Sequence, residues 1–338
     1  MARVNMRELA RSLGVDRSTI SRALSTDKSH LVGKETREII RKAAEAAGYR
    51  PNLTAATLRR GSSNTIGILV SDLENETFIT VIRRVVAELG TPGQHPFTPL
   101  IGETRDSHQT SRELLDQFIS RRVDAIISLA SSDTDAEILS DATRYVPVIL
   151  AIRKINGITL PTATCDDEAG GAMVAEHFAE RGHQVVCQIK GPTISATFVD
   201  RALGFSRACA RLGVFECEPE IVAPNATTAA GRKVGEQVLS MRPRPTAVFA
   251  HNDALALGML ETMRSAGLSC PADIALAGYN NTRISQLLAT PLTTVDYPVE
   301  KVSIHAGQAT KSLIADPTNE WSSRTFEPRL IVRGSTLS

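Results

Sequence analysis

The sequence predicts two unlike parts in one chain: a small all-α head over residues 1–50 and a larger α/β body over residues 63–338 that divides into two lobes. Three observations predict it. Short amphipathic helices punctuated by glycine fill the first fifty residues, apolar β-branched runs alternate with helical stretches after residue 63, and the charge changes sign between the two. Residues 1–62 hold thirteen Lys and Arg against six Asp and Glu, a net +7, whereas the rest holds 25 against 31, a net −6. A near-neutral total of +1 thus conceals a basic head on an acidic body. Such a head suits the neutralisation of phosphates, and repulsion of the body by a polyanion confines contact to one end.

In the head, Met6, Leu9, Ala10 and Leu13 form one apolar stripe at helical spacing, and Gly14 ends the helix with a residue free to take positive φ. A second helix follows at once. With a rotation of about 100° per residue, Arg22 lies about 40° from Ser18, Arg17 and Ser21 fall on the other side of it, and Ile20 and Leu24 point to the opposite face. One side packs while the other is free to read a ligand. Arginine grips guanine O6 and N7 with two parallel hydrogen bonds, and hydroxyls take phosphate or base edges. Arg17, Ser18 and Arg22 are therefore the base-contact candidates of a helix-turn-helix pair, with Thr19 and Ser21 as neighbouring hydroxyls. The plainer alternative is a solvated charged face. Lys34 to Ala47 reads as a third helix with Ile39, Ile40, Ala43, Ala44 and Ala47 inward and Gly48 as its cap. Pro51 then suits a helix start, so Asn52 to Leu58 reads as a short separate helix within a hinge over 51–62. About seven residues do not hold a helix unaided, which leaves a hinge that folds when templated, or an ordinary linker.

The body's strand candidates are Thr65 to Val70, Ala125 to Leu129, Pro147 to Ile152, Val185 to Ile189, Ala247 to Ala250 and Ile274 to Ala277. Their alternation with helical stretches argues for βαβ units and parallel sheets in Rossmann-like lobes. Open α/β sheets bind ligands beyond the carboxyl ends of their strands, and two such sheets facing each other make a cleft. A helix from Phe78 to Leu89, with Val81, Ile82, Val85 and Val86, reads either as a dimer interface or as intramolecular core.

In order along the chain stand Arg17-Ser18-Thr19-Ile20-Ser21-Arg22-Ala23-Leu24, Thr36-Arg37-Glu38, Gly48-Tyr49-Arg50-Pro51-Asn52, Thr65-Ile66-Gly67-Ile68, Gly182-His183 and Gly191-Pro192 with Arg201 and Gly204-Phe205. Asn252-Asp253-Ala254-Leu255-Ala256-Leu257-Gly258, Gly278-Tyr279, Pro291-Leu292-Thr293-Thr294-Val295 and Pro328 to Thr336 follow. With these motifs the chain resembles a LacI/GalR-family transcriptional regulator over nearly its whole length. The resemblance implies a dimeric repressor that reads double-stranded, pseudo-palindromic operator DNA and responds to a small-molecule effector, a sugar or sugar derivative. It implies major-groove reading by Arg17, Ser18 and Arg22 and entry of the hinge helix, with Asn52, Ala55 and Leu58, into the minor groove. There Leu58 is either a wedge between base pairs or a plain packing leucine.

The resemblance also implies a periplasmic-binding-protein-like body, with lobe 1 over about 63–162 and 292–323 and lobe 2 over about 163–291 and 324–338. Its effector candidates are Ser71, Asn75 and Phe78 from one lobe, and Asp166, Ser195, Thr197, Arg201, Asn252 and Asn280 from the other, with Tyr297 on the return crossover. Arg201 stands where the family grips its effector. Asn280 and Ile152 stand where many members carry aspartate, so two acceptor carboxylates are missing. An effector with an anionic group becomes more plausible if Arg201 and Arg153 are left less neutralised.

Other classes fare worse. The seven histidines show no metal-ligand spacing, and the five cysteines include no Cys-x-x-Cys, as expected for a reducing cytoplasm. No nucleophile-elbow pattern or Gly-x-Gly-x-x-Gly follows a strand, so neither an enzyme nor a cofactor is expected. The nearer competitor is a solute-binding sensor without DNA regulation. Against it, no apolar signal segment precedes the first helix and no stretch is long enough to span a membrane.

Overall fold

The structure is a computed structural model that describes residues 4–25, 29–49, 62–90 and 97–337. It falls into two compact units, residues 1–63 and 64–338.

In the first unit, α1 (Met6–Ser12) is opened by a reciprocal cap: the Asn5 side chain accepts from the Arg7 and Glu8 amides, and Glu8 accepts from the Asn5 amide. Gly14 turns the chain at φ +61°. Asp16 then opens α2 (Arg17–Ala23) by accepting from the Ser18 amide at 2.7 Å. α3 (Lys34–Ala46) completes a small core of Leu9, Ala10, Ile20, Ala23, Ile40, Ala44 and Tyr49. Two residues expected inward on α3 are not there. Ile39 is 54% exposed and Ala47 is exposed, because a thirteen-residue helix against two short ones buries only the narrow stripe through Ile40 and Ala44.

The second unit runs β1 (Thr65–Val70), α4 (Glu76–Leu89), β2 (Thr98–Glu103), α5 (His108–Ser120), β3 (Ala125–Ser128), α6 (Ala136–Ala142), β4 (Val148–Ile152) and β5 (Thr162–Cys165). It continues through α7 (Asp167–Glu180), β6 (Val185–Lys190), α8 (Ala196–Leu212), β7 (Phe215–Glu216), β8 (Ile221–Val222), α9 (Thr228–Ser240), β9 (Ala247–Ala250), α10 (Asp253–Ser265) and β10 (Ala275–Tyr279). It closes with α11 (Arg283–Leu287), β11 (Thr293–Asp296), α12 (Val299–Ala315), β12 (Arg324–Phe326) and β13 (Arg329–Ile331). One lobe holds a parallel sheet in the order β12-β5-β4-β3-β1-β2. The other holds β13-β11-β10-β9-β6-β7, with β8 also on β6 and only the β11–β13 pair antiparallel among these.

The chain crosses between lobes after Cys165, Asp296 and Phe326, a few residues beyond the expected 162, 291 and 324. Each strand completes its ladder before the chain leaves: Thr162 to Thr164 pair with Leu150 to Ile152, Arg324 to Phe326 pair with Ala163 to Cys165, and Thr293 to Val295 extend the second sheet beside Ala277 to Tyr279.

α4 begins at Glu76 rather than Phe78, since Asn75 caps it by accepting from the Thr77 amide. Its apolar face settles as core: Phe78, Val81, Ile82, Val85 and Leu89 are buried in a cluster with Val302, Ala306 and Ala309 of α12. Those side chains are therefore spent inside the chain and are not free to cover a partner.

Candidate functional site

On the head, Arg17, Ser18 and Arg22 are exposed, and Thr19 and Ser21 are half-buried. The geometry matches the rotation argument, because Ile20, completely buried, anchors the opposite side of α2. Hydrogen bonding from the Ser18 side chain, then from its amide, holds the Asp16 carboxyl below its usual pKa, so α2 begins with a negative charge beside Arg17 and Arg22. Asn52, Ala55 and Leu58 lie outside the described residues.

In the body, a cavity of about 620 Å³ opens between the carboxyl ends of the two sheets. It is lined by Ser71, Asn75, Phe78, Ser195, Thr197, Arg201, Asn252, Asn280 and Tyr297, all expected there. Asp166 is not part of the wall. Its carboxylate caps α7 by accepting from the Ala169 amide at 2.9 Å, the role any Asp at that position of a helix start tends to take. Asn252 lines the cavity, yet its side-chain amide is spent: Oδ1 accepts from the Leu255 amide at 2.7 Å and Nδ2 donates to the Ala226 carbonyl at 2.8 Å.

Arg201 is held from three sides. Its Nε donates to Asp167 Oδ1 at 2.8 Å, its Nη1 donates to the His251 carbonyl at 2.5 Å, and the Tyr279 ring lies 3.6 Å beneath the guanidinium carbon. Arg201 and Asp167 side chains are each 3% exposed. This contact depends on two glycines where α7 meets α8. A Cβ on Gly171 would stand 2.1 Å from the Arg201 carbonyl oxygen and one on Gly204 would stand 1.9 Å from that of Glu168, so no other residue lets the two helices approach this closely. Burial raises the Asp167 pKa, and Arg201 opposes that rise. Behind Arg201, His251 is fully buried. Its Nδ1 accepts from the Gly191 amide at 3.3 Å and its Nε2 lies 2.8 Å from Gln188 Oε1, an arrangement satisfied by the neutral ring. Burial, then the charge on Arg201, holds its pKa well below the usual histidine value.

The opposite wall carries a second pair that the sequence reading did not place. Arg153 Nη1 donates to Asp106 Oδ1 at 2.5 Å and to the Ala130 carbonyl at 3.1 Å, while Nη2 donates to Ser71 Oγ at 3.1 Å. Both arginines that seemed free to attract an anion are thus already paired with carboxylates. Ser195, at the start of α8, is 1% exposed, and its Oγ is the single buried side-chain polar atom without a hydrogen-bond partner among the described residues. A serine at a helix start normally caps the first amides, and this one does not.

A second hollow of about 790 Å³ shares Asn280 and Tyr297 with the first. Its rim is made of solvated pairs such as Arg84–Glu300, 49% and 69% exposed, and nothing buried there lacks a partner. Of the two hollows, the one between the strand ends is lined by Ser195, the buried side chain whose hydroxyl has no partner among the described residues.

Residues 5–52 match the family described as bacterial regulatory proteins, lacI family, and residues 175–336 match the periplasmic binding protein-like domain. The chain belongs to the LacI family. As such it is a DNA-binding transcriptional regulator with an effector-binding type of body, and not an enzyme. The HTH-type transcriptional repressor CytR of Escherichia coli (strain K12) is 29% identical over 336 residues, covering 98% of this chain and 96% of its own length. The repressor PurR of Vibrio atlanticus (strain LGP32) is 28% identical over 334 residues, covering 98% of each. Among solved structures, the lac repressor dimer bound to operator and the anti-inducer ONPF superposes with a TM-score of 0.84 at 23% identity, covering 100% of both chains. Like the fold of that LacI-family structure, the body here is two parallel-sheet α/β lobes accompanied by an N-terminal helical region. Among the described residues no helix is long and apolar enough to cross a membrane, and no group of three or more His, Cys, Asp or Glu is arranged to hold a metal ion.

Proposed function

We propose that this LacI-family chain acts in the cytoplasm as a homodimeric repressor. Its heads read the two halves of a pseudo-palindromic operator through Arg17, Ser18, Thr19, Ser21 and Arg22, with Asn52, Ala55 and Leu58 in the minor groove. A two-fold dimer suits such an operator because each head contacts one half-site. Operator affinity is set by a small molecule bound in the 620 Å³ cavity. Effector and operator then alter each other's affinity by the same factor, since the coupling is reciprocal.

The observation that carries the effector's chemistry is the buried, unpartnered hydroxyl of Ser195 in a cavity whose three arginines, Arg105, Arg153 and Arg201, are each already paired with a carboxylate. A neutral ligand rich in hydroxyls or carbonyls satisfies that hydroxyl without displacing a charge, so a neutral sugar or similar polyol is favoured over an anionic one. The anionic effector suggested by Asn280 and Ile152 loses its basis, because Asp106 and Asp167 supply the carboxylates that those two positions lack.

Gel-shift titration of the full chain against genomic fragments at two salt concentrations tests the reading. The expected result is sequence-selective binding that weakens by roughly 10³-fold or more between about 50 and 200 mM salt, as for a protein making several phosphate contacts. Absence of binding to every duplex would leave a solute sensor as the better account.

A further inference from the structure

We propose that Asp106 is a charge-selecting residue of the effector cavity: it occupies Arg153 from within and so denies that guanidinium to anionic ligands. The proposal rests on the cavity being the effector site. The two members of the pair are unequally placed. Asp106 lines the cavity with 27% of its side chain exposed, whereas Arg153 is 6% exposed behind it and within 5.9 Å of the Phe78 ring. The remaining contacts of Arg153 are neutral, Ser71 Oγ and the Ala130 carbonyl. Asp106 therefore supplies the one carboxylate on this guanidinium.

The backbone delivers both partners through conformations that side chains ordinarily avoid. Arg105 and Asp106 sit in succession at φ +52° and +55°, and Ile152, immediately before Arg153, sits at φ +69°. At Ile152 the Arg153 amide reaches back to the Ala151 carbonyl at 2.8 Å, closing a three-residue turn of the rarer, strained hand around a β-branched residue. Non-glycine residues in this region are strained and persist where the surroundings over-determine them, typically at ligand sites. Here the flanking ladder does so: the Thr104 amide bonds the Val70 carbonyl at 2.7 Å and the Arg105 amide bonds the Ser71 carbonyl at 3.1 Å.

The cavity lining as a whole points the same way, with Asp72, Glu74, Glu103 and Asp106 against Arg105, Arg153 and Arg201, and Arg105 is itself engaged by Glu103 at 2.9 Å. Removing the Asp106 charge leaves Arg153 and the Ser71 hydroxyl as adjacent donors, which is the composition of a simple oxyanion site.

The experiment is titration calorimetry with inorganic phosphate on the full chain as wild type, Asp106→Asn and Asp106→Asn/Arg153→Met. Asparagine keeps the shape and tolerates left-handed backbone, and Asp106→Ser serves as a second charge-free variant should the first fold poorly. Phosphate is expected to bind either charge-free single variant about tenfold or more tighter than wild type, with the gain abolished by Arg153→Met. The double variant also subtracts binding to the basic head. Equal phosphate affinity in wild type and both charge-free variants, or a gain that survives Arg153→Met, would overturn the proposal. A parallel thermal-shift screen of neutral sugars on the wild type reads the effector assignment separately. A phosphate gain with no stabilising neutral ligand would overturn the neutral-sugar reading of the effector and leave charge selection by Asp106 in this cavity standing.

Discussion

The two arginine–aspartate pairs at the cavity, one from each lobe, have the same chemistry and opposite construction. Arg201–Asp167 is made by helix packing: α7 and α8 touch through Gly171 and Gly204, both side chains are sealed, and the Tyr279 ring closes the third side. Arg153–Asp106 is made by strained strand ends in the other lobe, with the carboxylate open to the cavity. The difference teaches that a cleft arginine cannot be assigned a role from its identity. In the first pair the aspartate is sealed within the architecture, and in the second it faces the cavity, where an anionic ligand group would compete with it for the guanidinium.

Removing each aspartate is the strongest way to break this comparison. Asp167→Ala leaves a sealed guanidinium without its counter-charge and is expected to cost about 3–5 kcal/mol of body stability. Asp106→Ala leaves Arg153 with Ser71, the Ala130 carbonyl and access to water, so a loss below about 2 kcal/mol is expected. Urea midpoints of the two variants give the answer. Equal losses would mean that the Arg153 pair is as architectural as the other.

A second, smaller effect sharpens the Arg201 side through pH. His251 is held neutral in the fold, so the unfolded chain takes up a proton near pH 6.5 that the folded chain refuses. Its contribution is present above about pH 6.5 and is lost as pH falls, at a slope of up to about 1.4 kcal/mol per pH unit. His177 and His183, also lowered chiefly by burial, act in the same direction. Asp253 acts against them: burial raises it to about 6, well above the ordinary carboxylate range, so the fold gains relative stability as pH drops below about 6 towards the ordinary aspartate value. Thermal melts at pH 7 and pH 5 should show a smaller decline for His251→Gln than for wild type, because the opposing Asp253 contribution is common to both. An unchanged decline would mean that His251 takes a proton inside the fold.

Much of this site was legible because strand ends are legible. Thr65 to Val70 and Ala247 to Ala250 announce central strands by β-branched and apolar runs, and the residues just past them, Ser71 and Asn252, must then stand at the crevice. β2 was missed, since Thr98–Glu103 is an edge strand that pairs with β1 alone, carries Pro99 and leaves Ile101 exposed. Which atoms remain free in the cavity was not legible. Asn252 and Arg201 look like ligand groups until their partners, Ala226, Leu255, Asp167 and the His251 carbonyl, are brought in by folds of the chain 3 to 50 positions away. Positive φ at Ile152 has no sequence signal at all, because isoleucine is among the residues least suited to it. A faint signal did exist for the Arg201 pair. Gly170-Gly171 and Gly204 interrupt helical stretches, and a mid-helix glycine that costs about 1 kcal/mol usually marks a close approach.

The smallest effect concerns the atom on which the effector reading turns. Ser195 Oγ is buried without a partner, so in the unliganded fold it has lost water and gained nothing in exchange. Deleting it should leave stability unchanged or raise it, by up to about 1 kcal/mol, whereas deleting a satisfied buried hydroxyl would lower stability by a similar amount. If the hydroxyl is held in reserve for a ligand, Ser195→Ala must also weaken binding of whichever neutral sugar stabilises the wild type. The two measurements move in opposite directions for a reserved hydroxyl, and they move together for one that merely supports α8. A melt that falls alongside ligand affinity would assign Ser195 to the scaffold and leave the Arg153 wall as the part of the cavity that discriminates between ligands.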